Sequence, residues 1–103
     1  MATGKDYFDF VKEQLSDIDS IAFRPMMGEY IVYCNGKVVG GIYDDRFLIK
    51  ITPSSMKIIS DAPKEIPYEG AKEMLLADID NRELMNELIP AVANDLPEPK
   101  KKK

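Results

Sequence analysis

The sequence predicts an α+β fold, a two-layer α/β sandwich in which helices pack on one face of an antiparallel sheet. Three observations predict it. Apolar residues recur at helical spacing near both ends of the chain, and at alternating or continuous spacing from Ile21 to Ile51. Asn35-Gly36 marks a tight hairpin inside that middle stretch, because both residues accept positive φ. Each helical segment carries one apolar stripe, and stripes of that kind bury economically against a single sheet face.

The elements follow in the order α-β-β-β-β-α-β-α. Residues 3–16 read as a helix capped by Thr3, with Phe8, Val11 and Leu15 on one face and Tyr7 beside them. Ile21 to Phe23 reads as a short strand ended by Pro25. Glu29 to Cys34 is the next, rich in Tyr, Ile and Val, which suit a pleated half-buried surface. Lys37 to Tyr43 returns from the Asn35-Gly36 turn, Asp44-Asp45 turns again, and Arg46 to Ile51 runs on as a strand. Gly40-Gly41 inside a strand implies a bulge or a close approach, for which a helix crossing the sheet is the expected cause. Thr52-Pro53 fits a cap and first turn, with a short helix from Ser54 to Ser60. Pro63, Pro67 and Gly70 bracket an irregular connection to a strand over Lys72 to Ala77. Asp80 and Glu83 fit a capping box for a last helix whose stripe is Leu84, Leu88, Val92 and Leu96, widened by Met85 and Ile89. Pro90 should kink or break it, and Pro97-Glu98-Pro99 should stop it. Residues 1–97 are thus expected to form one domain, and 98–103 a disordered Lys-rich tail.

The totals bound the function. A chain of 103 residues matches one domain of the common size, roughly 100–150 residues. No apolar run approaches the ~18 residues that would span a bilayer. The single cysteine, Cys34, closes no internal disulfide, which points to a reducing cytoplasm. The net charge is −4, yet four of the 14 basic residues are Lys100 to Lys103. The rest of the chain sets 10 Lys and Arg against 18 Asp and Glu, a balance of −8. Such a body repels phosphate, so direct nucleic-acid binding is not expected.

The chemistry of catalysis is sparse. With no histidine, His-based triads, His acid–base work and His metal ligands are excluded. One cysteine without histidine argues against zinc, and no phosphate-binding glycine loop is present. Asp44-Asp45 reads as a turn rather than a metal site, and Cys34, sharing a strand face with Tyr30 and Val32, as a buried structural thiol. No cofactor is expected, and a binding role is expected over an enzymatic one. Arg24 and Glu29 flank a bent connection and are placed to pair across it.

That connection, Arg24-Pro25-Met26-Met27-Gly28-Glu29-Tyr30, resembles the signature of the N-terminal domain of the TfoX/Sxy family, bacterial regulators of natural competence. The resemblance continues through Tyr33 and Gly36 to Lys50, resumes over Pro67 to Lys72 and Met74, and extends in all from about Lys5 to Leu96. It implies a bacterial source and a two-layer fold with an antiparallel sheet, as in secretion chaperones. Longer family members are coactivators that work with the cyclic-AMP receptor protein and carry a second, helical domain, which is not found in this sequence. The resemblance supplies no catalytic residues. Arg24, Met26, Gly28, Glu29, Tyr30, Tyr43, Asp44, Arg46 and Lys50 match its pattern and are the candidate binding surface, with Gly28 and Asp44 also readable as backbone-geometry positions. A protein partner, from the transcription machinery or a second copy of the chain, is the implied ligand. The alternative is a small-molecule pocket or cryptic enzyme site lined by Tyr30, Tyr33, Tyr43 or Tyr68, with Arg24 or Lys50 converging on it.

Overall fold

The structure is a computed structural model and describes residues 4–97. Helix α1 spans Lys5–Gln14, followed by strands β1 (Ile21–Met26), β2 (Glu29–Cys34), β3 (Lys37–Tyr43) and β4 (Arg46–Ile49). Helix α2 (Pro53–Ile58), strands β5 (Lys64–Glu65) and β6 (Met74–Leu76), and helix α3 (Arg82–Asp95) complete the order. The six strands form one antiparallel sheet in the order β1-β2-β3-β4-β6-β5. The α+β architecture is the predicted one, with one strand more.

Three two-residue turns build the β1–β4 meander. Met27-Gly28, Asn35-Gly36 and Asp44-Asp45 each place two successive residues at positive φ, the geometry that matches the twist of paired strands. Strand β1 does not stop at Phe23: it continues through Pro25, which pairs with Tyr30. Proline is tolerated because β1 is an edge strand, where a missing N–H costs no ladder bond. The unpredicted β5 is two residues long, too short to show a period.

The core lies between the helices and one sheet face. Val32 and Cys34 of β2, Ile42 of β3, Phe47 and Ile49 of β4 and Leu75 of β6 bury against Val11 and Leu15 of α1 and Met85, Leu88, Ile89 and Val92 of α3. Met56 and Ile58 of α2 pack at the margin. On α3 the buried stripe is Met85, Leu88, Ile89, Val92 and Ala93, while Leu84 and Leu96 are only partly buried. Pro90 does not break this helix; the carbonyl it leaves unbonded belongs to the exposed Asn86, and burial of the flanking turns holds the rest.

Polar contacts fix the helices. Thr52 and Ser55 cap α2 reciprocally, and Ser54 N–H also donates to Asp95 Oδ2 at 2.7 Å. The cap of α3 is Asn81, whose Oδ1 accepts from Leu84 N, and not Asp80. Asp80 sits one residue too early for its side chain to meet the first free N–H groups. Gly4 stands at the start of α1 without a side-chain cap, and the predicted Thr3 cap and Lys tail lie outside the described residues. Buried Gln14 donates Nε2 to the carbonyls of Ile79 and Asp80, tying α1 to the entrance of α3.

Candidate functional site

Alternation along the strands puts a second set of side chains on the face the helices do not cover. Register places Arg24 opposite Ile31, Tyr33 opposite Val38, Gly41 opposite Leu48 and Tyr43 opposite Arg46 there. The connection from Ile66 to Glu73 rises beside this face, and between the two lies a groove of about 780 Å³. Its walls are mostly apolar: Met26, Ile31, Val38, Ile51 and Met74, with Tyr43, Tyr68 and Lys50 among them.

Local structure explains the depression. The β2–β3 register shifts between Val32 and Tyr33, so β3 carries an extra residue just before Gly40. A Cβ on Gly40 would collide with the Leu48 carbonyl oxygen. A Cβ on Gly41 would enter the Tyr43 ring, lying 2.6 Å from Cζ and 2.7 Å from the hydroxyl oxygen. The close approach at Gly40-Gly41 is therefore made by the neighbouring strand and by Tyr43, not by a crossing helix. The missing side chain at Gly41 lets the Tyr43 ring fold down onto the sheet, where it is 7% exposed. Burial pushes its phenol up from the usual value, and the neighbouring Tyr68 and Glu29 act in the same direction. Tyr68 meets it with ring centroids 5.9 Å apart and tilted, and is itself 56% exposed.

Of the predicted surface residues, the structure brings Met26, Tyr43 and Lys50 together in this groove. Arg46 stands beside it: Nε donates to the Tyr43 carbonyl, and Nη1 pairs with Glu65, tying β4 to β5. Gly28 and Asp44 occupy turn positions at φ of 86° and 53°. Glu29 does not bridge to Arg24; its Oε1 accepts from Asp44 N at 3.0 Å and braces one hairpin against the next. Arg24 is exposed on edge strand β1 and joins no ion pair among the described residues. Tyr30 lies on the opposite face, stacked on Phe8 at 3.8 Å between centroids. Of the alternative pocket residues, Tyr43, Tyr68 and Lys50 line the groove, while Tyr30, Tyr33 and Arg24 do not.

Sequence reasoning did not single out Ile31, Val38, Ile51 or Met74 as a lining. The signal for Ile31 and Val38 was their alternation against core residues; the 66–73 connection carries no period that would place it over the sheet. Among the described residues no three His, Cys, Asp or Glu side chains gather as metal ligands would. Cys34 is buried and free, and burial raises its thiol above the usual value, which leaves it a poor nucleophile. No helix among the described residues is long and apolar enough to cross a membrane.

Comparison with known proteins locates this architecture. The model of the TfoX N-terminal domain matches residues 13–85, a span that runs from α1 into α3 and includes every strand of the sheet. A protein of Spirochaeta aurantia, described as an uncharacterized 12.7 kDa protein in the trpE 5′ region, is 33% identical over 105 residues, covering all of this chain and 91% of its own length. No solved structure gives a significant match. With the family match extending over the meander, the groove and every strand of the sheet, the chain belongs to the TfoX N-terminal domain family.

Proposed function

We propose that this protein is a non-enzymatic, cytoplasmic regulatory module that acts by binding another protein through the helix-free face of its sheet, as a transcriptional coactivator in the manner of the longer family members. The observation that carries the reading is the apolar rim of that face. Ile51 and Tyr68 are 40% and 56% exposed along the groove, and Met27, beside Met26, is 96% exposed. Met27 also holds a φ of 52°, a conformation costly for a side chain of its type, at the tip of the β1–β2 hairpin. Clustered exposed apolar residues rimmed by polar ones are the usual mark of a protein-binding surface. A net charge of −4 steers the chain toward a partner with a basic surface.

The test is affinity capture from the source bacterium with four baits: wild type, Ile51→Asp, Tyr68→Ala and Phe10→Ala. Phe10 is exposed on α1, on the other side of the sheet, and serves as the control. A transcription regulator or polymerase subunit held in stoichiometric amount by wild type and Phe10→Ala, and lost with both rim variants, is the expected result. Equal capture by all four baits removes the rim from the interface.

A further inference from the structure

The groove holds a half-buried cation that no ion pair of the described residues engages. Four basic residues are half-buried among the described residues: Lys37, Arg46, Lys50 and Arg82. Lys37 donates Nζ to the Ala93 carbonyl at the end of α3, Arg46 pairs with Glu65, and Arg82 pairs with Asp17 and Glu13. Lys50 has no such partner; its backbone N–H is bonded to Val39, but its ammonium joins no hydrogen bond or ion pair in the described structure. A lysine stem laid along an apolar wall carries its ammonium at the water-facing end, where it is free to meet an anion. Lys72 and Glu73 also line the groove, both exposed, and neither joins Lys50 in an ion pair or hydrogen bond among the described residues. The half-buried cation without an ion-pair partner is Lys50.

We infer that this groove binds a small amphipathic monocarboxylate, its apolar body against Ile31, Val38 and Met74 and its carboxylate at Lys50 with Tyr43. The volume of about 780 Å³ falls within the range of roughly 300–1,000 Å³ typical of small-ligand sites. Apolar walls with a few convergent polar groups are the composition of such sites. Among the described residues the Tyr43 hydroxyl meets no hydrogen-bond partner, and as a phenol it is a donor available to the carboxylate. A cationic ligand would meet Lys50 as a like charge, and a dianion would leave one charge unmatched.

The inference is tested on the isolated protein, so its outcome is independent of whether a protein partner docks on the rim. Octanoate, 1-octanol and octylamine, kept below their micelle concentrations, are titrated against ¹⁵N-labelled protein and followed by amide shifts. Octanoate is expected to shift Gly41, Ile51 and Met74 saturably, and to bind at least about tenfold more tightly than octanol, as one charge-assisted hydrogen bond allows. Octylamine is expected to bind weakest. Lys50→Met keeps the apolar stem and should bring octanoate down to the affinity of octanol, with octanol unchanged. Val38→Phe fills the groove and should abolish both. The dispersed spectrum of each variant reports that it folds. Equal affinity for the three probes, unchanged octanoate binding in Lys50→Met, or shifts confined to residues away from the groove each overturn the inference.

Discussion

Gly40 and Gly41 sit side by side in β3 for different reasons. At Gly40 the obstacle to a side chain is backbone, the Leu48 carbonyl of the neighbouring strand, and it cannot rotate away. At Gly41 the obstacle is the Tyr43 ring, which can be displaced but only by opening its seat in the groove. Gly40→Ala is therefore expected to destabilise the protein by about 1–3 kcal/mol, the usual cost of overpacking. Urea unfolding followed by tyrosine fluorescence or circular dichroism measures it, and a variant as stable as wild type would show that the sheet spreads without cost at the bulge. Met27 and Lys50 illustrate the opposite case. One is an exposed apolar side chain in a left-handed conformation, the other a half-buried lysine whose ammonium joins no ion pair among the described residues. Departures of this kind from local preference are where function is best sought.

At the scale of elements, the short helix α2 depends on groups outside itself. It is six residues long, below the length at which propensity alone sustains a helix in water. The Thr52–Ser55 capping box fixes one end of it, and Asp95, at the far end of α3, accepts from Ser54 N–H and adds negative charge at the positive end of its dipole. That contact holds the Asp95 carboxyl below its ordinary value of 3.8, chiefly through the Ser54 backbone bond and further through Thr52. A folded-state pKa depressed in this way gives a contribution to stability that is complete above the unfolded value. It is lost as pH falls through the folded value. Asp95→Asn keeps an acceptor but removes the charge. Wild type is therefore expected to exceed the variant in urea midpoint near neutral pH, with the difference shrinking as pH falls below the carboxylate range. A difference that stays constant down to acid pH would mean that the charge of Asp95 does not act on α2.

At the scale of the whole molecule, one sheet divides two kinds of surface. The covered face spends its apolar residues on the helices; the other keeps Tyr68 and Ile51 in water along a groove. The charge distribution disfavours nucleic acid. Outside Lys100 to Lys103 the balance is −8, and phosphate contacts depend on clustered basic residues. The chain is expected not to shift a short DNA duplex at physiological salt in an electrophoretic assay. Retardation that persists there, and after removal of residues 100–103, would assign the sheet face to nucleic acid instead.

Much of this was legible in the sequence because it is local. Asn35-Gly36 announces its hairpin through backbone preference alone, and the periods of α1, β2, β3 and α3 follow from which side chains must leave water. The four strands of the meander, the start of α2 at Pro53 and the α+β class follow from the same cues, and the family pattern at Arg24 to Tyr30 is a matter of residue order. What only the tertiary structure decided depends on partners distant along the chain. Strand β5 exists because Pro63 to Glu65 meets β6, and Pro25 stays in a strand because no element pairs on its far side. Tyr30 goes to the core and Tyr43 to the groove through strand parity combined with the choice of face for the helices. The groove itself forms where the 66–73 connection comes back over the sheet, and nothing in the spacing of Pro67, Tyr68 or Met74 encodes that contact. A pattern in one segment records which of its side chains must leave water, whereas a site assembled from several segments also needs the positions they take relative to one another, and those are set only when the chain packs.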